Sequence, residues 1–248
     1  MLEDFTGRVA LVTGAFRGFG FATAERLAAR GASVAVHVRD TERAEATAQR
    51  LEERGFAVSG DLGNPADLQS IVARTLDRFG RLDVLVNNAA VALPTRFEKI
   101  TEEEWRRTFD VNVTAVFLLI RAALPAMKEQ RYGRIVNLSS TAGKTVSTLG
   151  GAHYTASKAA LLGLTRAAAK ELGPYGITVN ALCPGLFDTE LTRENATSEQ
   201  LEAIAKTFPI RRLGEPVEVA DLICFLASEA AGYITGASLD INGGDLML

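Results

Sequence analysis

The 248-residue chain reads as an α/β protein with a doubly wound, mostly parallel sheet covered by helices on both faces. Three observations predict this. Short apolar runs of strand length recur along the chain and alternate with helix-length patterns. Hydrophobic residues make up 47% of the chain, ample for a sizeable core. No repeat, low-complexity tract or clear linker interrupts the rhythm, so residues 1–248 read as one domain, although length alone would allow two.

The first run, Arg8-Val9-Ala10-Leu11-Val12, is short and apolar like a buried strand, and strands are expected near 8–13, 33–38, 56–60, 83–87, 134–139, 177–182 and 237–242. Helical patterns fall near 18–30, 41–54, 65–79, 102–130, 153–173 and 216–228. Gly31 is a natural stop for the first helix. Pro125 is expected to kink the long fourth pattern near its end. Residues 185–209 break the alternation with a polar run and a short pattern from Glu199 to Phe208. Placed just after a strand end, this segment reads as a substrate loop or lid.

Two groups of residues carry chemistry. Thr13-Gly14-Ala15-Phe16-Arg17-Gly18-Phe19-Gly20 follows the first strand and opens a helix. Gly14 permits a tight turn. Gly18 and Gly20 let backbone and phosphate approach, and the helix start offers free N–H groups and a positive dipole end. The spacing is GxxxGxG rather than GxGxxG. Further on, Tyr154 and Lys158 stand one helical turn apart on one face. A free tyrosine titrates near about 10. A nearby ammonium lowers that value and makes a better acid or base at neutral pH. Ser140, after the apolar run from Arg134 to Leu138, could bond a substrate oxygen opposite Tyr154. In this order, the groups indicate a nicotinamide-dependent carbonyl/alcohol oxidoreductase.

These residues make the chain resemble the short-chain dehydrogenase/reductase family over nearly its whole length. Thr13 to Gly20 matches TGxxxGxG, Asp61-Leu62 the acidic position beside the adenine, and Asn87-Asn88-Ala89-Ala90 the NNAG motif with one departure. Asn112, Ser140, Tyr154 and Lys158 match the catalytic tetrad, and Pro184-Gly185 with Thr189 match the PG motif and the threonine that contacts the nicotinamide carboxamide. The resemblance implies a Rossmann-type domain. It makes Tyr154 the acid or base and has Lys158 bond the nicotinamide ribose and lower the tyrosine pKa. Ser140, second of the Ser139-Ser140 pair, orients the carbonyl, and Asn112 holds a water in a proton relay. Ala90, in place of glycine, is expected to crowd its turn, and Phe19 to alter packing near the nicotinamide ribose.

The family alignment puts the NAD-selecting acid at Val38, with Arg39 following; Arg17 precedes Gly18. Guanidinium groups suit the 2′-phosphate of NADP, so NADP(H) is favoured over NAD(H), with Asp40 close enough to compete. A pocket is expected from Val91-Ala92-Leu93-Pro94, Thr141-Ala142, Thr148-Leu149-Gly150, His153 and Leu186-Phe187, with His153 and Leu186 as substrate contacts. The substrate is a small carbonyl or alcohol. The leading expectation is a 3-oxoacyl thioester on acyl carrier protein, for which Arg131 matches one of two basic docking positions and Tyr175 departs from the other. A sugar, polyol or small-alcohol dehydrogenase and a catalytically silent NADP-binding scaffold are the alternatives; the intact tetrad disfavours the last. His37 reads as a plain sheet residue.

Net charge is −3 with scattered basic residues, so neither nucleic acid nor a membrane surface is indicated as a partner. No apolar stretch looks long enough to span a bilayer. The opening Met1-Leu2-Glu3-Asp4-Phe5 lacks signal-peptide character. Cys183 and Cys224 read as reduced packing thiols of a cytoplasmic protein. The helix near 153–173 is apolar almost all round and rich in Ala, Leu and Gly, which with the family's habit leads to the expectation of a homotetramer.

Overall fold

The strands are β1 (Val9–Thr13), β2 (Ser33–Val38), β3 (Gly55–Ser59), β4 (Val84–Asn87), β5 (Gly133–Leu138), β6 (Ile177–Pro184) and β7 (Ser238–Ile241). In this computed structural model, which describes residues 4–147 and 150–248, they form one sheet in the order β3-β2-β1-β4-β5-β6-β7. Every pairing is parallel. The helices are α1 (Gly18–Ala29), α2 (Thr41–Gln49), α3 (Pro65–Phe79), α4 (Glu102–Phe109), α5 (Ala115–Gln130), α6 (Ala152–Leu172), α7 (Glu190–Asn195), α8 (Ser198–Ala205) and α9 (Pro216–Ala227).

Side chains alternate across the sheet and feed two cores. Ala10 and Val12 of β1 join Leu27 of α1 and Ile223 and Leu226 of α9 on one face. Val9 and Leu11 join Ile71 of α3, Leu119 of α5 and Leu161 of α6 on the other. Fully burying each such Leu or Ile contributes about 1.5–3 kcal/mol, which is why strands buried on both faces read as unbroken apolar runs.

The strand order turns back between β1 and β4: β2 and β3 extend one way, β4 to β7 the other. Such a reversal opens a crevice beyond the carboxyl ends of the strands. At the opposite end, fully buried Asp83 accepts from Arg81 at 2.7 and 2.8 Å, from Arg8 at 3.1 Å and from Val9 N at 2.9 Å. Burial pushes its carboxyl pKa up, but these donors outweigh burial and hold it below the usual range. The ends of β1 and β4 that carry no chemistry are thereby pinned.

Pro125 lies inside α5, and the helix runs on past it to Gln130. An irregularity that the sequence pattern did not announce falls at Asp110–Thr114, a π-helical turn between α4 and α5, where the Ala115 N–H reaches the Asp110 carbonyl. Such wide turns gather at functional sites. One expectation needs correction: the helical run Glu102–Gln130 is long and apolar enough to cross a membrane by length and composition. Here its apolar side packs into the core, through Val116, Leu119, Ile120, Ala123 and Met127. Residues 185–209 form α7, α8 and their connections.

Candidate active site

The crevice holds a cavity of about 470 Å³ lined by Gly14, Arg17, Gly18, Phe19, Asn88, Ala89, Ser139, Ser140, Tyr154, Lys158, Pro184, Gly185 and Thr189, among others. Its contributors follow β1, β4, β5 and β6, the strands on either side of the reversal. Beside β2 a cavity of about 290 Å³ adds His37, Val38, Arg39, Asp40, Arg43, Asp61 and Leu62. Under α8 a third, of about 250 Å³, adds Thr141, Ala142, Leu186, Phe187, Ile204, Phe208 and Asp245.

The glycine loop is shaped by close approach. A Cβ on Gly20 would lie 2.3 Å from the Gly14 carbonyl oxygen, so Gly20 is buried beneath the turn and supports it. Gly14 and Gly18 have φ of +65° and +55°, which favours glycine. Asn88 braces the loop: its Nδ2 donates to the carbonyls of Thr13 at 2.8 Å and Gly14 at 3.1 Å. Thr13 Oγ1 answers by accepting from the N–H groups of Asn88 and Ala89. The start of α1 has no side-chain cap and no acid in its first turn. Its N–H groups and dipole end are left for an anion. Ala90 is exposed and avoids positive φ, so its methyl does not crowd the turn. Phe19 meets Phe187 edge-on with ring centroids 5.1 Å apart, joining the loop to the base of the 185–209 segment.

Sequence reading missed His37. At the end of β2 its Nε2 donates to the Gly60 carbonyl at 3.0 Å, and its Nδ1 faces the Gly14 N–H at 3.4 Å. Burial lowers its pKa, so the ring is a neutral strut between the glycine loop and β3. The available signal was a polar residue at a buried strand end opposite the loop.

Ser139 and Ser140 part ways at the end of β5. Ser139 is buried and donates to the Lys158 carbonyl at 2.9 Å. Ser140 faces the cavities together with Tyr154, and its hydroxyl accepts from Ala142 N at 3.1 Å. Burial pushes the Tyr154 phenol up, and the neighbouring Ser140 hydroxyl opposes this. Lys158 is buried, and its ammonium donates to the Leu138 carbonyl at 2.5 Å, its one hydrogen bond among the described residues. Burial lowers its pKa to about 8. Its Nζ stands 5.6 Å from the Tyr154 ring centre. The expectation that Lys158 depresses the tyrosine pKa is therefore not met here: the ammonium is turned to the backbone, and burial dominates the phenol.

Asn112 sits in the π-helical turn. Oδ1 accepts from Val91 N at 2.8 Å, while Nδ2 donates to Val91 O at 2.9 Å and to Ser157 Oγ at 3.0 Å. Both amide protons are thus used, and Asn112 ties the segment after β4 to α6. His153 is fully buried, lines none of these three cavities, and neither ring nitrogen has a hydrogen-bond partner among the described residues. On a helix it points about a hundred degrees away from Tyr154, which removes it as a substrate contact. Thr148 and Leu149, expected in the pocket wall, lie outside the described residues. Thr189 lines the cleft while capping α7. Asp61 accepts from Arg107 at 2.7 Å, and that bond lowers its pKa.

The family described as Enoyl-(Acyl carrier protein) reductase matches residues 14–245. Among curated proteins, the 3-oxoacyl-(acyl-carrier-protein) reductases FabG of Vibrio cholerae and Escherichia coli are 40% and 39% identical, each over 245 residues, 99% of this chain and the full length of the relative. A 3-oxoacyl-(acyl-carrier-protein) reductase of Synechocystis is 41% identical over 251 residues, again 99% of this chain and all of the relative. With a crevice at the strand reversal and full-length matches of this kind, the chain belongs to the short-chain dehydrogenase/reductase family of nicotinamide-dependent oxidoreductases.

Proposed function

We propose that this enzyme reduces the ketone of a 3-oxoacyl thioester to a secondary alcohol with NADPH. The observation that carries the reading is the Ser140–Tyr154 hydroxyl pair, set where two cavities meet. The residues fit a dinucleotide: the uncapped start of α1 suits a pyrophosphate, and the Lys158 ammonium retains two of its three donors for ribose hydroxyls. The bound nicotinamide supplies hydride to the carbonyl carbon. Ser140 donates a hydrogen bond to the carbonyl oxygen and fixes its position. Tyr154 donates its phenolic proton to the same oxygen as negative charge develops there. Burial keeps the phenol protonated at neutral pH, the form reduction requires. Asn112 holds α6 against the segment after β4.

The named substrates of the relatives and the hydroxyl pair both favour a ketone over a carbon–carbon double bond. NADPH absorbance should fall with an acetoacetyl thioester and stay constant with a crotonyl thioester; the reverse result removes the reading. A second reading has one observation in its favour. The cavity under α8 carries Thr141, Ser147, Thr192, Thr207 and Asp245, groups that can bond a hydroxylated substrate. Oxidation of polyols faster than reduction of acetoacetyl thioesters would establish that reading instead. For a carrier protein, Arg131 is joined by Lys128, whose ammonium lies 4.1 Å over the Tyr175 ring. In this reading Lys128, from α5, stands in for the second basic position.

NADP(H) preference rests on the β2 end. Asp40, the competitor, caps α2 by accepting from Arg43 N at 2.9 Å. Val38 and Arg39 line the cavity beside it. A charge-assisted hydrogen bond is worth about 1.5–3 kcal/mol, so kcat/KM should favour NADPH at least about tenfold. Val38→Asp should reverse part of this, because a carboxylate bonds the 2′-OH of NAD and repels a 2′-phosphate. Equal or better use of NADH by the wild type refutes the assignment.

The protein acts as a homotetramer in this reading, in a reducing compartment such as the cytoplasm, where buried Cys183 and Cys224 stay reduced, without a disulfide. The outer side of α6 is open at Ala159, Gly163 and Ala167, and Phe117 of α5 is 45% exposed. Light scattering at micromolar concentration should give four times the 26.5 kDa chain mass. A monomer mass rejects it.

A further inference from the structure

We propose that Arg43, on the first turn of α2, is a cofactor-specificity residue that partners Arg39 on the adenosine 2′-phosphate, a place the sequence assigns to Arg17. The inference rests on the NADP(H) reading above and names the residues that would carry it. Four observations lead to it.

First, Arg17 is engaged elsewhere. Its guanidinium forms a two-pronged ion pair with Glu194 of α7, so it ties the glycine loop to the 185–209 segment. Second, Arg39 and Arg43 line the same cavity, beside Val38 and Asp61. The Asp61 carboxylate feels Arg39 but is hydrogen-bonded to Arg107 instead. Two guanidinium groups beside one cavity repel each other and gain from a shared anion.

Third, Arg43 is held in place. Its guanidinium carbon lies 5.1 Å from the centre of the Phe16 ring, which is itself 38% exposed. A cation over an aromatic face loses less entropy on binding than a free side chain, and Phe16 belongs to the glycine loop that borders the site. This gives a use to the bulk at Phe16. Fourth, the nearest acid is disarmed. The Asp40 carboxylate accepts from the Arg43 backbone N–H, so Arg43 gives its N–H to the helix cap and keeps its side chain for the cavity. The start of α2 adds a positive dipole end.

Binding of two fragments by calorimetry tests this apart from turnover. Adenosine 2′,5′-bisphosphate carries the distinguishing phosphate; adenosine 5′-monophosphate lacks it. Wild type should prefer the bisphosphate. Arg43→Ala should weaken the bisphosphate at least about tenfold, the loss of one charge-assisted hydrogen bond. The monophosphate should bind unchanged, which also certifies that the exposed substitution leaves the fold intact. Arg17→Ala should cost the bisphosphate less than Arg43→Ala does. If Arg17→Ala has the larger effect and Arg43→Ala none, the Arg43 assignment is overturned while the NADP(H) reading stands. If wild type binds the two fragments equally, the NADP(H) reading fails and takes the Arg43 assignment with it.

Discussion

Tyr154→Phe should lower turnover by at least about a hundredfold while leaving NADPH affinity within a few-fold of wild type. The ring stays packed, so the substitution removes one hydroxyl. That hydroxyl is the proton donor proposed for the carbonyl oxygen, and general acid catalysis contributes about 10²–10⁴ in rate. No second acid stands ready: the Ser140 hydroxyl is a far weaker acid than a phenol, and the Lys158 ammonium faces the Leu138 carbonyl. Burial holds the phenol pKa above its usual value, so reduction should keep its rate through neutral pH and fall only as the phenol ionises in alkali. Oxidation needs the phenolate and should rise with pH over the same range. Near-normal turnover by the variant, on a substrate the wild type uses, sinks the mechanism.

The strands and the glycine loop were legible because their constraints are local. A strand buried on both faces reads as a mostly apolar run; β1 displays this directly, while β5 and β6 carry buried polar residues such as Asn137 and Asn180 that are hydrogen-bonded. The glycines of the loop are dictated by φ or by contact, as Gly14, Gly18 and Gly20 show. What sequence could not supply was the direction of side chains. Ser139 and Ser140 are adjacent, yet one serves the core and the other the cavity, because neighbours on extended chain face opposite ways. Only alignment with the family had separated them.

The misses have the same origin. His153 neighbours the candidate acid in sequence, but the helical turn carries it into the interior. In the reading proposed above, Arg17 carries the right charge in the right motif, but Glu194, some 177 residues on, holds its guanidinium. The wide turn at Asn112 was hidden because an apolar helical pattern continues through it. Asp245 entered the cavity wall from the far end of the chain, with no local signal at all.

Lys158→Met should lower kcat/KM at least about a hundredfold and yet leave the fold as stable as before, or more so. Two charge-assisted hydrogen bonds to a ribose, at about 1.5–3 kcal/mol each, account for the loss. The stability side follows from burial. An ammonium enclosed by protein, with one carbonyl partner, has its pKa lowered from 10.5 to about 8. The unfolded chain therefore binds more protons than the folded one between about 8 and 10.5, and stability rises with pH in that window. Below pH 8 both states carry the charge and the full cost, about 3 kcal/mol, weighs on the fold. Methionine fills similar space without that charge, and replacing a buried ion by an apolar group is commonly neutral or stabilising. Chemical denaturation at pH 7 and pH 9.5 should show wild type gaining stability at the higher pH more than the variant does. A variant that is clearly less stable at pH 7 would make Lys158 a structural anchor, held for its bond to Leu138, and would remove it from the proposed machinery.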